Sequence, residues 1–166
     1  MFGIDDWEDH PPRQGNIDDW KNRKFNESGT FFKYNDVRVN LLAYSLLHQV
    51  WRKPLPMILE EKIMDPIGAS TTWHWYGYEN SFVNVDGIMM QSVSGGGHFG
   101  DGIFINTLDH ARFGLLFLRQ GKWKNQQLIS KEWIQEARLQ SQARKDHGFM
   151  WWHNEQKEIK GVSKKG

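Results

Sequence analysis

Tyr34 and Asp36 are the residues of this sequence whose types and placement most favour acid–base chemistry. They lie directly before residues 37–50, where apolar side chains recur at helical spacing. A tyrosine hydroxyl has an ordinary pKa of about 10, so it removes a proton near neutral pH only where neighbouring cations favour the phenolate. Without such cations, Tyr34 is expected to be a half-buried aromatic residue ahead of a helix.

Asp36 stands where the N-cap of that helix is expected. Its carboxylate could accept a hydrogen bond from a lysine, but a carboxylate donates none unless it is protonated. Capping uses only part of the acceptor capacity of a carboxylate. Asp36 could therefore cap the helix and contribute to a site at the same time.

Aromatic and histidine side chains in predicted loops are the candidates for substrate contact. Trp73 and Trp75 lie in an irregular segment, and His98 lies in the glycine-rich loop 95–102. Loops often present binding side chains outward. The alternative for the two tryptophans is a place in the core, and the alternative for His98 is a solvated side chain without a binding role. The histidines and acidic residues lack a metal-ligand spacing such as His-Glu-x-x-His. We therefore predict no metal and no other cofactor.

Hydrophobic periodicity and turn residues predict four helices and few strands. The helices are expected at 37–50, from about 54 to 64, at 107–120 with Thr107 as the cap and Gly121 as the stop, and at 130–139 with Ser130 as the cap. A weak hairpin is expected around Asp86. Residues 148–152 predict a buried strand whose sheet partners are missing. The pattern indicates an α+β chain.

Length and composition restrict the class of protein. The length of 166 residues predicts one domain. With 21 basic and 20 acidic side chains the net charge is +1, so no broad positive electrostatic field is expected that would attract nucleic acid. Cysteine is absent, so disulfides and thiolate catalysis are excluded. No apolar run reaches the roughly 18 residues of a membrane span, and residues 1–15 do not resemble a signal peptide. A small-molecule partner is expected, and a periplasmic or secreted parent protein is compatible with these features.

Four segments follow one another in a distinctive order between residues 28 and 152. They are the tyrosine motif Tyr34-Asn35-Asp36, the turn Asp65-Pro66-Ile67-Gly68-Ala69-Ser70, the glycine loop 95–105, and the stretch Asp109-His110-Ala111-Arg112-Phe113 with a closing turn at Gly121-Lys122-Trp123. In this order they resemble β-lactamase-related serine hydrolases, a family that includes class C β-lactamases, penicillin-binding proteins and esterases.

The resemblance implies a fold in which helices flank an antiparallel sheet, with this chain as the helical part, truncated at both ends. Residues 1–30 would be a loop region of the parent domain, 31–152 its helical part, and 153–166 a charged terminus. The resemblance also implies cleavage of a small ester, amide or peptide through an acyl-enzyme, with Tyr34 as the proton shuttle. Asp36 stands where the family usually has an asparagine that contacts the catalytic lysine and a substrate amide.

The serine nucleophile of that family does not occur in this sequence. Its pattern is Ser-x-x-Lys, and no serine here has a lysine three positions later. The Gly-x-Ser-x-Gly pattern of other serine hydrolases is absent too. The nucleophile and the family's third motif are therefore expected in missing segments of the parent, and the chain alone is expected to be inactive. The alternatives are a non-catalytic relative that binds a peptide or a sugar, and an inactive truncated product.

Overall fold

The computed structural model describes residues 26–27, 29–32, 36–77, 82–92 and 102–153, with the backbone alone for 36–38. Four α-helices lie within these ranges and confirm the four that the sequence predicts. They are α1 (Asp36–Ser45), α2 (Leu55–Leu59), α3 (Thr107–Leu118) and α4 (Lys131–Ala137). The first two continue as π-helical turns, Leu46–Trp51 after α1 and Glu60–Met64 after α2. In this part of the chain, no helix combines the length and the hydropathy needed to cross a membrane.

Short antiparallel strand pairs accompany the helices. Strand β1 (His74–Tyr76) pairs with β4 (Gly102–Phe104), β2 (Phe82–Val85) with β3 (Ile88–Gln91), and β5 (Lys122–Trp123) with β6 (Gln126–Gln127). Helices and small antiparallel sheets together make an α+β arrangement, as the sequence predicts.

The β2–β3 hairpin confirms the turn that was predicted around Asp86. Asp86 and Gly87 both have positive φ angles, 54° and 84°. These angles belong to the type I′ turn, whose backbone twist matches that of the strands it joins, and Asp-Gly is a favoured sequence for it. The Asp86 carboxylate also forms an exposed ion pair with Arg52, which follows the π-helical turn after α1. The hairpin is thereby connected to the end of that helix.

Two hydrophobic clusters hold the elements together. The first joins the π-helical turn after α1 to the β2–β3 hairpin, through Leu47, Val85 and Met90. The second joins the end of α2 to α3, through Met64, Ile67 and Leu116. All six of these side chains are at most 9% exposed. The second cluster also collects partly buried residues from several connecting segments: Leu59, Ile63, Ala69, Trp73, Ile105, Phe113, Trp123, Leu128 and Ile129.

The N-cap of α3 is Asn106, so the prediction that Thr107 caps this helix was wrong by one position. The Asn106 side chain accepts a hydrogen bond from the backbone N–H of Asp109, at 2.9 Å. Asparagine and aspartate cap helices better than threonine, and an extended backbone such as that of Asn106 is what a cap requires.

The C-terminal end of α3 lies close to Gly121, where the sequence predicts it. The N–H of Gly121 donates to the carbonyl of Leu116, and the N–H of Gln120 donates to that of Phe117. This pair of bonds is a Schellman motif, with Gln120 in the left-handed region at φ 54°. A glycine is required at position 121, because a Cβ there would lie 2.0 Å from the carbonyl oxygen of Ile129.

The buried strand predicted at 148–152 is not formed. His147 and Trp152 make one isolated bridge, and Met150 between them has a φ of 63°, which no strand residue adopts. The side chains of 149–152 are 40–59% exposed. A strand buried on both faces needs neighbouring strands. Here the backbone instead turns back, with Phe149 donating to the carbonyl of Ala137 at the end of α4.

Candidate functional site

A buried polar cluster surrounds the carboxylate of Asp109 in the first turn of α3. This side chain is 0% exposed. It accepts hydrogen bonds from the backbone N–H of Ser70 at 3.0 Å, from the Ser70 hydroxyl at 2.5 Å and from the Asn106 amide at 2.6 Å. The guanidinium of Arg112 provides a further donor, on the other carboxylate oxygen. Three of these donors converge on Oδ2 and one reaches Oδ1, so both oxygens of the buried carboxylate are hydrogen-bonded.

These donors determine the protonation state of Asp109. The hydrogen bond from the Ser70 hydroxyl contributes most to lowering its pKa, and the Ser70 N–H, Asn106 and Arg112 lower it further against the opposing effect of burial. A carboxylate of lowered pKa is a poor proton acceptor near neutral pH. Asp109 therefore acts as an anchor in this fold rather than as a general base.

The cluster extends from Asp109 to the start of β1. The hydroxyls of Ser70 and Thr72 lie 2.7 Å apart, and the Asn106 amide donates to both. The backbone carbonyl of Thr72 in turn lies 3.0 Å from Nδ1 of His74. The turn that ends at Ser70, the cap of α3 and the first residue of β1 are therefore joined in one hydrogen-bonded unit.

The sequence-based predictions do not include this cluster. One pair within it, Asn106 and Asp109, could have been found from the sequence, because its spacing is that of a helix-capping motif. Asn106 and Asp109 stand at the N-cap and third positions of α3, the spacing of a capping box. In that motif the third residue bonds back toward the cap, as the Asp109 carboxylate does with the Asn106 amide. The contribution of Ser70, 39 positions before Asp109, has no comparable signal.

Trp73 and Trp75, two of the predicted substrate contacts, lie on either side of His74 at the start of β1. Trp73 is half-buried and packs against the second hydrophobic cluster. Trp75 is also half-buried, and its indole Nε1 is buried without a hydrogen-bond partner in the described ranges. A buried indole N–H usually has a partner, so that of Trp75 is a donor available to a ligand or to another segment.

An exposed group of aromatic rings lies on the β1–β4 ribbon. His74 stacks on Phe104, its partner across the strands, with ring centroids 5.2 Å apart and planes 5° from parallel. Tyr76 meets both rings edge-on, at 4.8 and 5.1 Å. Because Nδ1 of His74 faces a carbonyl, which only accepts, the neutral ring carries its proton on Nδ1 and leaves Nε2 as an acceptor.

The tyrosine motif is only partly within the described residues. Tyr34 and His98 lie outside them, and for Asp36 the backbone alone is described. Helix α1 begins at Asp36, so the last residue of the motif is the first residue of the helix, one position earlier than the prediction that Asp36 is the N-cap. The roles of Tyr34, Asp36, His98, Trp73 and Trp75 stay predictions.

A cluster that the sequence did not predict contains Arg144, Phe32, His147 and Trp152, and we call it the arginine clamp. The guanidinium carbon of Arg144 lies 4.7 Å from the ring centroids of both Phe32 and Trp152. The His147 ring lies 4.7 Å from Phe32 and 5.0 Å from Trp152. Asp146 pairs with Arg144 through two hydrogen bonds, at 2.5 and 3.1 Å, which orient the plane of the guanidinium.

The pKa of His147 is lowered in this cluster, foremost by burial and then by the positive charge of Arg144. His153 also lowers this pKa, and the Asp146 carboxylate raises it. Near neutral pH the imidazole therefore belongs to the clamp as an uncharged aromatic ring.

The chain matches no family model and no curated protein. Among the described residues, no three histidine, aspartate or glutamate side chains are grouped as ligands for one metal ion.

Proposed function

We propose that this chain is the helical part of a β-lactamase-related serine hydrolase, which cleaves a small ester, amide or peptide through an acyl-enzyme. The observation that carries the proposal is the contact between Ser70 and Asp109. It joins two of the four segments on which the resemblance rests, the turn at 65–70 and the stretch at 109–113. If the separate short motifs resembled the family only by chance, there would be no reason for two of them to share a buried polar cluster.

A second observation supports the same proposal. Helix α1 starts at Asp36, the last residue of the tyrosine motif, and its π-helical continuation packs through Leu47 in the first hydrophobic cluster. A residue that carries a proton must stay within hydrogen-bond reach of the reacting atoms. A packed helix at one end of the motif fixes that end of the motif, which helps to hold a proton-carrying side chain within reach of the reacting atoms.

The proposed reaction assigns a role to each predicted site residue. The serine oxygen of a Ser-x-x-Lys motif elsewhere in the parent attacks the substrate carbonyl and loses its proton to Tyr34. Tyr34 passes that proton to the departing alcohol or amine, which leaves an acyl-serine for hydrolysis by water. Asp36 accepts a hydrogen bond from the catalytic lysine, and His98, Trp73 and Trp75 contact the substrate.

The experiment that tests this function is the trapping of the acyl-enzyme. The open reading frame that contains this chain would be expressed at its full length, treated with a fluorophosphonate and with a p-nitrophenyl ester, and its intact mass measured. We expect one adduct, on the serine of a Ser-x-x-Lys motif outside residues 1–166, and its loss when that serine is replaced by alanine. A full-length protein without such a motif, or one that gains no adduct, would contradict the proposal.

The exposed ring group formed by His74, Tyr76 and Phe104 supports a second function, that of a non-catalytic relative that binds a sugar. Exposed aromatic rings bordered by a hydroxyl and a ring nitrogen offer an apolar face with polar groups beside it, which suits the C–H face and hydroxyls of a sugar ring. Calorimetric titration with neutral oligosaccharides would detect binding that Tyr76→Ala abolishes. Tyr44→Ala, which removes an exposed tyrosine from α1, is the matched control.

A further inference from the structure

A cleft lies between the second half of α3, the end of α4 and residues 151–153. Its volume is about 490 Å³, which is within the range of roughly 300–1,000 Å³ that is usual for small-molecule sites. The buried side chains of Ile134 and Ala137 line it from α4. Trp151 lines it from the C-terminal segment and packs on Phe117 of α3, with ring centroids 4.7 Å apart. Three separate segments of the chain therefore build this cleft.

Gly114 lines the same cleft from the interior of α3. Glycine destabilises the interior of a helix relative to alanine. A Cβ added at this position would meet no atom within 4 Å, so no contact among the described residues requires a glycine. The missing side chain instead leaves open space, which widens the cleft.

Arg138 lines the cleft directly after α4, and no acidic side chain of the described ranges lines it. The guanidinium of Arg138 has no hydrogen bond or ion pair with another described residue, whereas those of Arg52, Arg112 and Arg144 are paired with carboxylates. A planar guanidinium can hold a carboxylate through two parallel hydrogen bonds. The cleft thus combines an uncompensated positive charge with aromatic side chains.

We propose that this cleft binds a small aromatic carboxylate, with its ring against Trp151 and its carboxylate on Arg138. An indole ring packs well against a second aromatic ring, and the guanidinium complements the negative charge. An inorganic anion would leave the apolar side chains of the cleft in water, and a neutral ring would leave the arginine without a counter-charge. Trp73 and Trp75, which contact the substrate in the proposed hydrolase, do not line this cleft, so the site is proposed independently of that function.

Calorimetric titration of the 166-residue chain with 2-naphthoate tests the proposal. The amide 2-naphthamide is the neutral counterpart of this probe, and acetate carries the carboxylate without the ring. We expect 2-naphthoate to bind about tenfold more tightly than 2-naphthamide, the lower end of what hydrogen bonds to a charged group contribute. Acetate should give no measurable binding. Arg138→Gln should remove the difference between 2-naphthoate and 2-naphthamide. Arg119→Gln is the matched control, because Arg119 is exposed at the end of α3 and does not line the cleft, and it should keep the difference.

The place of the ligand is tested at Gly114. Leucine is a good helix former, so Gly114→Leu should keep α3 while its side chain occupies the cleft. We expect this variant to bind both naphthalene compounds at least about tenfold more weakly, with an unchanged circular dichroism spectrum. Because Arg138 is exposed, Arg138→Gln decides the proposal where Gly114→Leu loses the fold. The proposal is overturned by an absence of 2-naphthoate binding, by equal affinity for 2-naphthoate and 2-naphthamide, or by equal losses in Arg138→Gln and Arg119→Gln. Unmodified affinity in a folded Gly114→Leu overturns it as well.

Discussion

Asp109 accepts two hydrogen bonds from Ser70, one from its backbone N–H at 3.0 Å and one from its hydroxyl at 2.5 Å. The two residues are 39 positions apart in the sequence. Their contact fixes the turn after α2 against the first turn of α3, at the point where the chain enters β1. The start of β1, where Trp73 and Trp75 lie, is thereby fixed.

Replacement of Asp109 should weaken the fold more than replacement of any exposed aspartate. In Asp109→Asn one acceptor oxygen becomes a donor, which leaves donors of Ser70, Asn106 or Arg112 unpaired in a buried site. We expect the Tm to fall by about 5–10 °C and the Ser70 amide to exchange faster with deuterium. Asp86→Asn, which removes an exposed ion pair with Arg52, should change the Tm by less than about 2 °C. Equal Tm values for the two variants would argue against the anchoring role.

Two glycine substitutions should change stability in opposite directions. Gly87 has a φ of 84° in the hairpin turn, so Gly87→Ala should cost about 1 kcal/mol of unfolding free energy. Gly114 lies within α3, so Gly114→Ala should add about 0.5–1 kcal/mol. An added Cβ meets no atom within 4 Å at either position, so the comparison isolates the effect of backbone conformation. Denaturant titration measures both values, and changes of the same sign would refute the assigned geometry.

His147 should make the fold sensitive to mild acid. Its pKa in the folded chain is lowered from its ordinary value of 6.5, so between these two values the unfolded chain binds more protons than the folded one. Stability is therefore fully present above about pH 6.5 and falls as the pH drops through that window toward the lowered pKa. Thermal melts between pH 5 and 8 should show this loss, and His147→Gln should reduce it. A Tm of His147→Gln that falls with acid as steeply as that of the unmodified chain would contradict this role of His147.

If the full-length protein is the proposed hydrolase, Asp36→Asn should change its substrate preference. Asp36 is the first residue of α1, where asparagine loses only the favourable interaction of a carboxylate with the helix dipole, so stability should fall by less than about 1 kcal/mol. An amide can donate to a substrate carbonyl, which an ionised carboxylate cannot do. We therefore expect the ratio of kcat/KM for an ester to kcat/KM for the matched amide to fall in Asp36→Asn. An unchanged ratio would leave Asp36 with no role beyond the first turn of α1.

The sequence predicted best those features that depend on nearby residues. Helix α1, the hairpin at Asp86 and the cap of α4 at Ser130 follow from local periodicity, turn residues and capping side chains. The cap of α3 was missed by one residue because Thr107 and Asn106 both have capping side chains, and only the backbone conformation distinguishes them.

Features that depend on distant partners were not predictable from one sequence. The apolar run at 148–152 has the composition of a buried strand, but a strand needs neighbours, and these residues instead turn against the end of α4. The arginine clamp and the Ser70–Asp109 contact each join segments far apart in the chain. No local periodicity encodes such a pairing.

The turnover number of the full-length hydrolase with Tyr34→Phe tests the central proposal most directly. If Tyr34 carries the proton, this variant should keep the fold and lower kcat by about 10²–10⁴-fold, the usual contribution of a positioned general acid or base. Tyr44→Phe, in α1, is the matched control and should keep the full rate.

The 166-residue chain alone should hydrolyse neither nitrocefin nor a p-nitrophenyl ester. Hydrolysis by the isolated chain that disappears with Tyr34→Phe would contradict its dependence on an outside nucleophile. A full-length Tyr34→Phe enzyme within about twofold of the unmodified rate would contradict the proposed role of Tyr34.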